Sequence, residues 1–199
     1  MTDLAETAKR FDLYTRDAEA ARFVWRFRDS GIAVEPDAIA VMRAGRWSRA
    51  PFHAIRSVTL NSAVVGRGTV AQCIIQLENG NRVVTSNGND RGLPDGSNDR
   101  DFRKFVVALH EQLIASGQAK SIEFRSGYSR ARANVLIGAL VAGVALFVVL
   151  PLVILIMTGE IKALGLLVTG GLLIWPAMKT AEANRPSRYF PDRPPDLID

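Results

Sequence analysis

The chain has 199 residues, a formal net charge of +5 and a single cysteine, Cys73. One cysteine excludes a disulfide within the chain and a cysteine-rich metal cluster. The basic excess is local, because residues 120–133 carry four basic residues against one glutamate, beside the first of two long apolar runs. Anionic lipid attracts such a cluster, whereas a nucleic-acid interface needs a basic stripe on the folded domain. We therefore expect a lipid bilayer as a partner and no nucleic acid.

The N-terminal segment, residues 1–21, is charged throughout and is not typical of a signal peptide. A weak apolar stripe at helical spacing predicts a short amphipathic helix here, formed by Leu4, Ala8, Phe11 and Tyr14.

Residues 22–117 read as one domain, and residues 22–86 within it read as about six or seven antiparallel strands. Apolar and polar residues alternate from Phe23 onward, which is the period of a strand. In "VAQCIIQL" the same alternation places one set of residues on the inner face: Ala71, Cys73, Ile75 and Leu77. Asn79-Gly80 then predicts a type I′ hairpin turn with positive φ at both residues, and "RVVTS" is the returning strand.

The domain ends with a loop and one amphipathic helix. The loop "NGNDRGLPDGSND" is not a calcium-binding EF-hand loop, because Arg91 and Asn98 occupy ligand positions, and we expect it to be mobile. Asn98 or Asp99 is the expected helix cap. The buried stripe is expected to consist of Phe102, Phe105, Val106, Leu109 and Leu113.

Four stretches of this region resemble the bacterial pleckstrin-homology-like (PH-like) domains found in many membrane proteins: "FVWRFRDSGI", "GRWSRAPFHAIRSVTL", "LENGNRVV" and "DFRKFVVALHEQL". The resemblance implies a bent, partly open antiparallel barrel with one helix plugging an end. It implies binding or scaffolding and no catalysis. The predicted fold class is therefore β-rich α+β, with an added α-helical transmembrane hairpin.

Candidate chemistry is sparse. In lipid-binding members of that family basic loop residues contact the headgroup, which makes a set of arginines candidates for headgroup or partner contact: Arg43, Arg46, Arg49 and Arg56. Solvated strand faces explain the same residues. His53 and His110 have no partner at metal or catalytic spacing and are expected at the surface, and Cys73 is expected in the core. We expect no enzyme activity, metal or cofactor.

A basic juxtamembrane linker, residues 118–133, follows the domain and contains Lys120, Arg125, Arg130 and Arg132. Two apolar runs, residues 134–157 and 161–178, then predict a two-helix transmembrane hairpin, since about 20 apolar residues span a bilayer. A re-entrant or interfacial helix is the alternative for the shorter second run. Because basic residues flank the outer ends of the hairpin, we expect a multi-pass protein of the cell inner membrane with both termini in the cytoplasm.

Small residues recur at helical spacing in the first run, at Gly138, Ala142 and Gly143. They predict close helix packing, either within the hairpin or between copies in a homo-oligomer. Pro151 is expected to kink this run. The tail, residues 179–199, contains four prolines and is either flexible or docked on a surface through Tyr189, Phe190 and Leu197.

The sequence thus predicts a non-enzymatic inner-membrane protein that presents a PH-like protein-binding or scaffolding domain to the cytoplasm, with a protein partner whose identity the residues do not reveal. Two alternatives stay open. One is a sensor of anionic lipid headgroups that uses the domain's arginines. The other is an accessory subunit of a transporter or other membrane complex.

Overall fold

The computed structural model describes residues 7–17, 29–65, 68–128, 130–159, 161–183 and 185–198. The chain forms two compact units. Unit 1 consists of Met1–Gly127 together with Ser187–Asp199, and unit 2 is Tyr128–Pro186. Unit 1 is a mixed α+β domain built on one large, mostly antiparallel open sheet, and unit 2 is helical. Unit 1 is therefore made of two chain segments that are far apart in sequence.

The sheet of unit 1 has nine strands in the spatial order β4-β3-β2-β1-β7-β6-β5-β8-β9. Neighbouring strands are antiparallel except β5 and β8, which are parallel. The strands are β1 (Lys9–Asp17), β2 (Asp29–Val34), β3 (Ala38–Arg43), β4 (Arg46–Pro51), β5 (Ile55–Val65), β6 (Gly68–Leu77), β7 (Arg82–Ser86), β8 (Glu123–Ser126) and β9 (Ser187–Arg188). The first seven form a meander in which β1 pairs with β7, while β4 and β5 are joined only by the 3₁₀ turn Phe52–Ala54.

Strand β1 corrects the prediction of an N-terminal helix. Residues 11–16 alternate between inward and outward positions, with Leu13 and Thr15 fully or almost fully buried and Asp12 exposed. That period-two pattern is typical of a strand, and β1 lies between β2 and β7 in the sheet. The apolar stripe at helical spacing was a weaker signal than this alternation. The predicted first strand around Phe23 lies outside the described residues.

The inward face of β6 is confirmed, because Ala71, Cys73, Ile75 and Leu77 are all buried. They share the core of unit 1 with one helix, α1 (Gly96–Ala115), which packs against β1 and β2. The predicted buried stripe of α1 is also confirmed. The predicted cap, Asn98 or Asp99, is wrong. The N-cap is Asp95, whose carboxylate accepts a hydrogen bond from the Ser97 N–H at 3.1 Å. The helix thus begins earlier than the apolar periodicity indicates.

The hairpin between β6 and β7 lies where the sequence placed it, but its turn differs. Gly80 has φ +85° and Asn79 does not have a positive φ. Leu77 and Asn81 pair across a three-residue loop, with a 2.8 Å bond from the Leu77 N–H to the Asn81 carbonyl. The two-residue turn with two positive φ angles lies instead between β3 and β4, at Ala44 (φ +46°) and Gly45 (φ +76°).

Hydrogen bonds fasten the loop after β7, which differs from the mobile loop that the sequence suggested. The buried Asn87 side chain accepts from the Ala71 N–H at 2.7 Å and donates to the Thr69 carbonyl at 3.1 Å. It also donates to the Asp99 carboxylate at 2.7 Å. One side-chain amide thereby extends the sheet ladder beyond β7 and ties it to the first turn of α1.

The segments on either side of unit 2 are part of the sheet, which the sequence did not predict. The expected basic linker contains β8, which pairs with β5, and the expected tail contains β9, which pairs with β8. Beyond β9 the tail is docked rather than flexible. Ile198 is buried in the core, and Tyr189 and Leu197 pack against it. The docked alternative is therefore the one seen, although Phe190 is exposed.

Unit 2 contains two helices that are long and apolar enough to cross a membrane, Ala133–Thr158 and Leu164–Glu182. The first is built from α2 (Arg130–Val144), a π-helical turn (Ala145–Val149) and α3 (Leu150–Thr158), and the second is α4 (Lys162–Ala183). The π turn ends two residues before Pro151, whose missing backbone donor disturbs a regular helix. Gly159, with φ +67°, ends α3.

The two helices of unit 2 are in close contact at Gly170. A Cβ atom there would lie 2.5 Å from the Cβ of Phe147 and 2.9 Å from its carbonyl oxygen, so only glycine fits. Around Gly138 and Gly143 nothing lies within 4 Å of an added Cβ. Packing within the hairpin therefore uses Gly170 and not these two predicted small residues.

Candidate functional site

The four candidate arginines lie on three strands, β3, β4 and β5. Arg43 and Arg46 are paired neighbours at the β3–β4 turn. Arg56 is exposed on β5, a strand that is not a sheet neighbour of β3 or β4. A headgroup phosphate requires several donors around one point. Arg43 and Arg46 are therefore the two candidates that strand pairing brings together.

Arg49 is engaged in the fold. Its guanidinium donates from Nε to the buried carboxylate of Glu35 and from Nη2 to Asp37 at 2.6 Å. These acidic groups raise the pKa of Arg49, with the hydrogen bond to Glu35 as the largest cause. Arg49 on β4 therefore clamps the turn between β2 and β3, and we assign it a structural role.

Of the juxtamembrane basic residues, Arg125 belongs to a charged cluster on the β8–β9 strand pair. Arg125 on β8 and Arg188 on β9 are directly opposite each other across the strand pair. Both contact Glu123, with Arg188 Nη2 at 2.9 Å from the carboxylate. The bond from Arg125 and the charge of Arg188 lower the pKa of Glu123. Lys120 is exposed in the preceding 3₁₀ turn, Gln118–Lys120. Arg130 and Arg132 lie in the first turn of α2.

A cleft of about 480 Å³ runs beside this cluster. Its basic rim includes Lys120 and Arg188, and its apolar wall includes Ile122, Phe190 and Pro191. Phe190 is 78% exposed, although Tyr189 next to it packs into the core. Four exposed side chains on and beside this strand pair define what we call the β8–β9 surface: Lys120, Arg125, Arg188 and Phe190.

His110 is buried, which corrects the prediction that it lies at the surface, whereas His53 is exposed as expected. His110 Nδ1 lies 2.7 Å from the Val106 carbonyl, which can only accept, so Nδ1 carries the proton. Nε2 then accepts from the Tyr189 hydroxyl at 2.9 Å. Burial lowers the pKa of His110, and both rings also contact Phe124. The histidine thus joins α1 to β8 and the tail.

Cys73 lies in the core, as predicted. Burial raises the pKa of its thiol to about 12, which keeps it protonated and unreactive at neutral pH. Its position and protonation state are those of a small apolar core residue rather than of a nucleophile.

A larger groove of about 600 Å³ lies between β1 and the outer face of α1. Phe11, Val107 and Ala108 supply its apolar part. The charged residues that line it are Lys9, Arg10, Arg103, Lys104 and Glu111. Arg103 also holds the tail, through Asp196 at 2.8 Å and the Ile198 carbonyl. The groove offers a mostly basic rim around an apolar floor that includes Val107, 48% exposed.

No protein-family model matches the chain, and neither a curated protein nor a solved structure is significantly similar to it.

Among the described residues, no group of three or more His, Cys, Asp or Glu side chains is arranged to hold a metal ion.

Sequence reasoning did not predict that Arg188, Phe190 and His110 lie near one another. A local signal for it existed in the tail, where aromatic residues beside prolines favour docking. Their partners on α1 and β8 could not be read from the tail, because they lie more than 60 residues away.

Proposed function

We propose that this protein is a non-enzymatic, membrane-anchored module of the PH-like type, which presents a protein-binding surface to the cytoplasm. The observation that carries the proposal is where the apolar helices enter the domain. In the sequence, these helices lie between β8 and β9. Ser126 precedes unit 2 and Ser187 follows it, and the two serines are paired residues of adjacent strands. Two spans that begin and end at one strand pair return the chain to the side from which it left.

The strand order supports the PH-like part of the proposal. The first seven strands form a meander in which β1 pairs with β7 and β4 does not pair with β5, and one helix follows them. This arrangement fits a partly open barrel plugged by a helix. The helix contributes Phe102, Phe105 and Leu109 to the common core. The strand pair β8–β9 is an addition beyond that plan, and it lies at the open edge next to β5.

The structural roles of Arg49, His110 and Cys73 support a binding function over catalysis or headgroup sensing by the β3–β4 arginines. The groove between β1 and α1 is the surface best suited to a protein partner. Its exposed Val107 and basic rim, including Arg10 and Lys104, complement an acidic segment that carries an apolar side chain.

Topology is tested by reporter fusions at both ends of the full chain. We expect both reporters to be active in the cytoplasm and the protein to resist extraction from membranes by alkaline carbonate. A reporter active only on the far side of the membrane, or release of the protein by carbonate, would contradict the anchoring.

Partner binding is tested by a photo-crosslinking amino acid placed at Val107 in the full chain in cells. We expect a discrete crosslinked product from this position and none from Glu78, which is exposed in the β6–β7 turn and serves as the control. Equal crosslinking from both positions, or from neither, would argue against the groove as the binding surface.

A further inference from the structure

The β8–β9 surface displays Phe190, which is the most exposed large apolar side chain among the described residues of unit 1. Its backbone is fixed on both sides. The Tyr189 N–H donates to the Phe124 carbonyl at 3.4 Å, and the Arg193 N–H donates to the Phe190 carbonyl at 3.0 Å. With Tyr189 packed inward, Phe190 is held outward by the fold. A large apolar side chain beside basic ones is typical of a surface that lies in the membrane interface.

The charges around Phe190 favour an anionic ligand. Arg125 and Arg188 face each other as Cα partners, an arrangement of like charges that is unfavourable without an anion. Glu123 supplies one negative charge to both, and Lys120 adds a third cation. The four side chains therefore sum to +2. The Arg188 side chain is 82% exposed and Lys120 is also exposed, so both can reach a phosphate group in solution or in a membrane.

Chain connectivity favours the membrane as the source of that phosphate. Ser126 precedes the first apolar helix, which begins at Ala133, by seven residues. Ser187 follows the second, which ends at Glu182, by five residues. Since an extended chain covers at most about 3.5 Å per residue, these connections allow at most about 25 Å and 18 Å. The β8–β9 surface is thus tethered twice, and by short connections, to the apolar helices.

We propose that the β8–β9 surface is a membrane-docking site, in which Lys120, Arg125 and Arg188 contact anionic phospholipid headgroups and Phe190 inserts into the interface. The inference rests on the proposed function, because it takes the helices of unit 2 to span the bilayer. It places headgroup contact on a surface different from the arginines of β3, β4 and β5.

Depth measurement on the full chain tests the docking. Phe190→Cys is labelled with a nitroxide in lipid nanodiscs made with or without phosphatidylglycerol, and collisions with oxygen and with a water-soluble nickel chelate are compared. The native Cys73 is fully buried, so the label goes to the introduced cysteine, and the unsubstituted chain serves as the labelling blank. We expect position 190 to gain oxygen contact and lose nickel contact when phosphatidylglycerol is present. Leu93→Cys, in the β7–α1 loop, should stay water-exposed with both lipids.

A matched pair of charge variants tests which cations act. Lys120→Gln with Arg188→Gln, and Arg46→Gln with Arg56→Gln, each remove two exposed positive charges. We expect the first pair to return the label at position 190 to water and the second pair to leave it in the interface. The opposite result would overturn the proposal in favour of the β3–β5 arginines. The thermal midpoint of each variant verifies that it remains folded.

A third label separates this inference from the proposed function. Val141→Cys lies in the first apolar helix and is 65% exposed in unit 2, so it should report lipid in every disc. If position 141 reports lipid while position 190 reports water whatever the lipid, the docking proposal is wrong and the anchoring stands. If position 141 reports water, the anchoring itself fails, and the docking proposal fails with it.

Discussion

Arg49 and Arg46 lie three residues apart on β4 but have different surroundings. Arg49 neutralises Glu35, which is 2% exposed, whereas Arg46 is exposed beside the β3–β4 turn. Removing an ion-pair partner of a buried carboxylate costs about 3 kcal/mol, while most surface substitutions cost less than about 0.5 kcal/mol.

We therefore expect Arg49→Ala to lower the free energy of unfolding of unit 1 by about 3 kcal/mol, and Arg46→Ala to leave it almost unchanged. Denaturant unfolding of the full chain in mild detergent, followed by tryptophan fluorescence, measures both. Equal losses from the two variants would show that the clamp between β4 and the β2–β3 turn contributes little.

His110 gives unit 1 a pH-dependent stability. Burial lowers its pKa below the ordinary value of 6.5, so the unfolded chain binds this proton more readily than the folded one. The contribution of the neutral His110 to the stability of unit 1 is complete above about pH 6.5. It is lost as the pH falls from there toward the folded-state pKa. The groups that face the ring are the Val106 carbonyl, the Tyr189 hydroxyl and Phe124, and Cys73 lies close enough to Tyr189 to influence its titration.

We expect the thermal midpoint of the full chain to decrease as the pH is lowered from 7 to 5. His110→Gln should flatten that dependence, because the glutamine side chain does not titrate. Tyr189→Phe removes the hydroxyl but keeps the titrating ring, so its midpoint should still fall with pH. A slope that is unchanged in His110→Gln would assign the pH dependence to other groups.

Sequence periodicity predicted the buried residues well where burial repeats within one element. The inward face of β6 and the stripe of α1 follow from alternation and from helical spacing, because each depends on neighbours in the chain. His110 did not follow from periodicity. Its polar partner lies 79 residues away in the tail, and a ring that can satisfy both nitrogens inside the core looks like a surface residue in the sequence.

At the scale of elements, the turn after β6 shows how local sequence leaves alternatives. Asn-Gly favours a two-residue type I′ turn, but here a three-residue loop was formed, with only Gly80 at positive φ. In this loop the Asn79 side chain accepts a hydrogen bond from the Asn81 N–H at 3.0 Å. The sequence located the hairpin correctly and did not determine its loop length.

Gly80→Val should still destabilise the hairpin, by about 1–2 kcal/mol, because a β-branched side chain is strained at φ +85°. No atom lies within 4 Å of an added Cβ, so the cost comes from the backbone and not from a clash. Gly80→Asn should cost less, since asparagine tolerates positive φ. The thermal midpoint and the reactivity of Cys73 toward a thiol reagent report the loss of the β6–β7 pairing. Equal midpoints for both variants would refute the assigned turn.

The contact between Gly170 and Phe147 makes a similar test possible in unit 2. Gly170→Ala places a methyl group 2.5 Å from the Cβ of Phe147, whereas Gly171→Ala meets nothing within 4 Å. We expect Gly170→Ala to separate the two helices and Gly171→Ala to leave them together. Disulfide trapping between cysteines introduced on the two helices, in the full chain in nanodiscs, measures their proximity. Equal trapping in both variants would contradict this packing.

At the scale of the whole molecule, the discontinuity of unit 1 was the feature that sequence could least reveal. Apolar runs of spanning length are a local signal and were located within a few residues. The pairing of β8 with β5 and of β9 with β8 is non-local, and β9 has only two residues, too few for a period. The linker and the tail therefore looked like separate appendages. The fragment 22–117, which the sequence indicated as one domain, lacks β1, β8 and the tail, and we expect it to be unfolded when excised.

The pairing of Ser126 with Ser187 makes a stronger test of the architecture. Because the two residues are adjacent across antiparallel strands, a short glycine-containing turn can replace residues 128–186 and leave the sheet intact. We expect this joined chain to fold in water without detergent. The chain that ends at residue 127 lacks three side chains that pack on or in the core, namely Tyr189, Leu197 and Ile198. A fully buried apolar side chain contributes about 1.5–3 kcal/mol. Ile198 is buried and the other two are partly buried, so this chain should lose roughly 2–4 kcal/mol. Denaturant unfolding of both chains measures the difference. Equal stability would mean that the tail rests on unit 1 without stabilising it, and that the apolar helices are not an insertion into a continuous core.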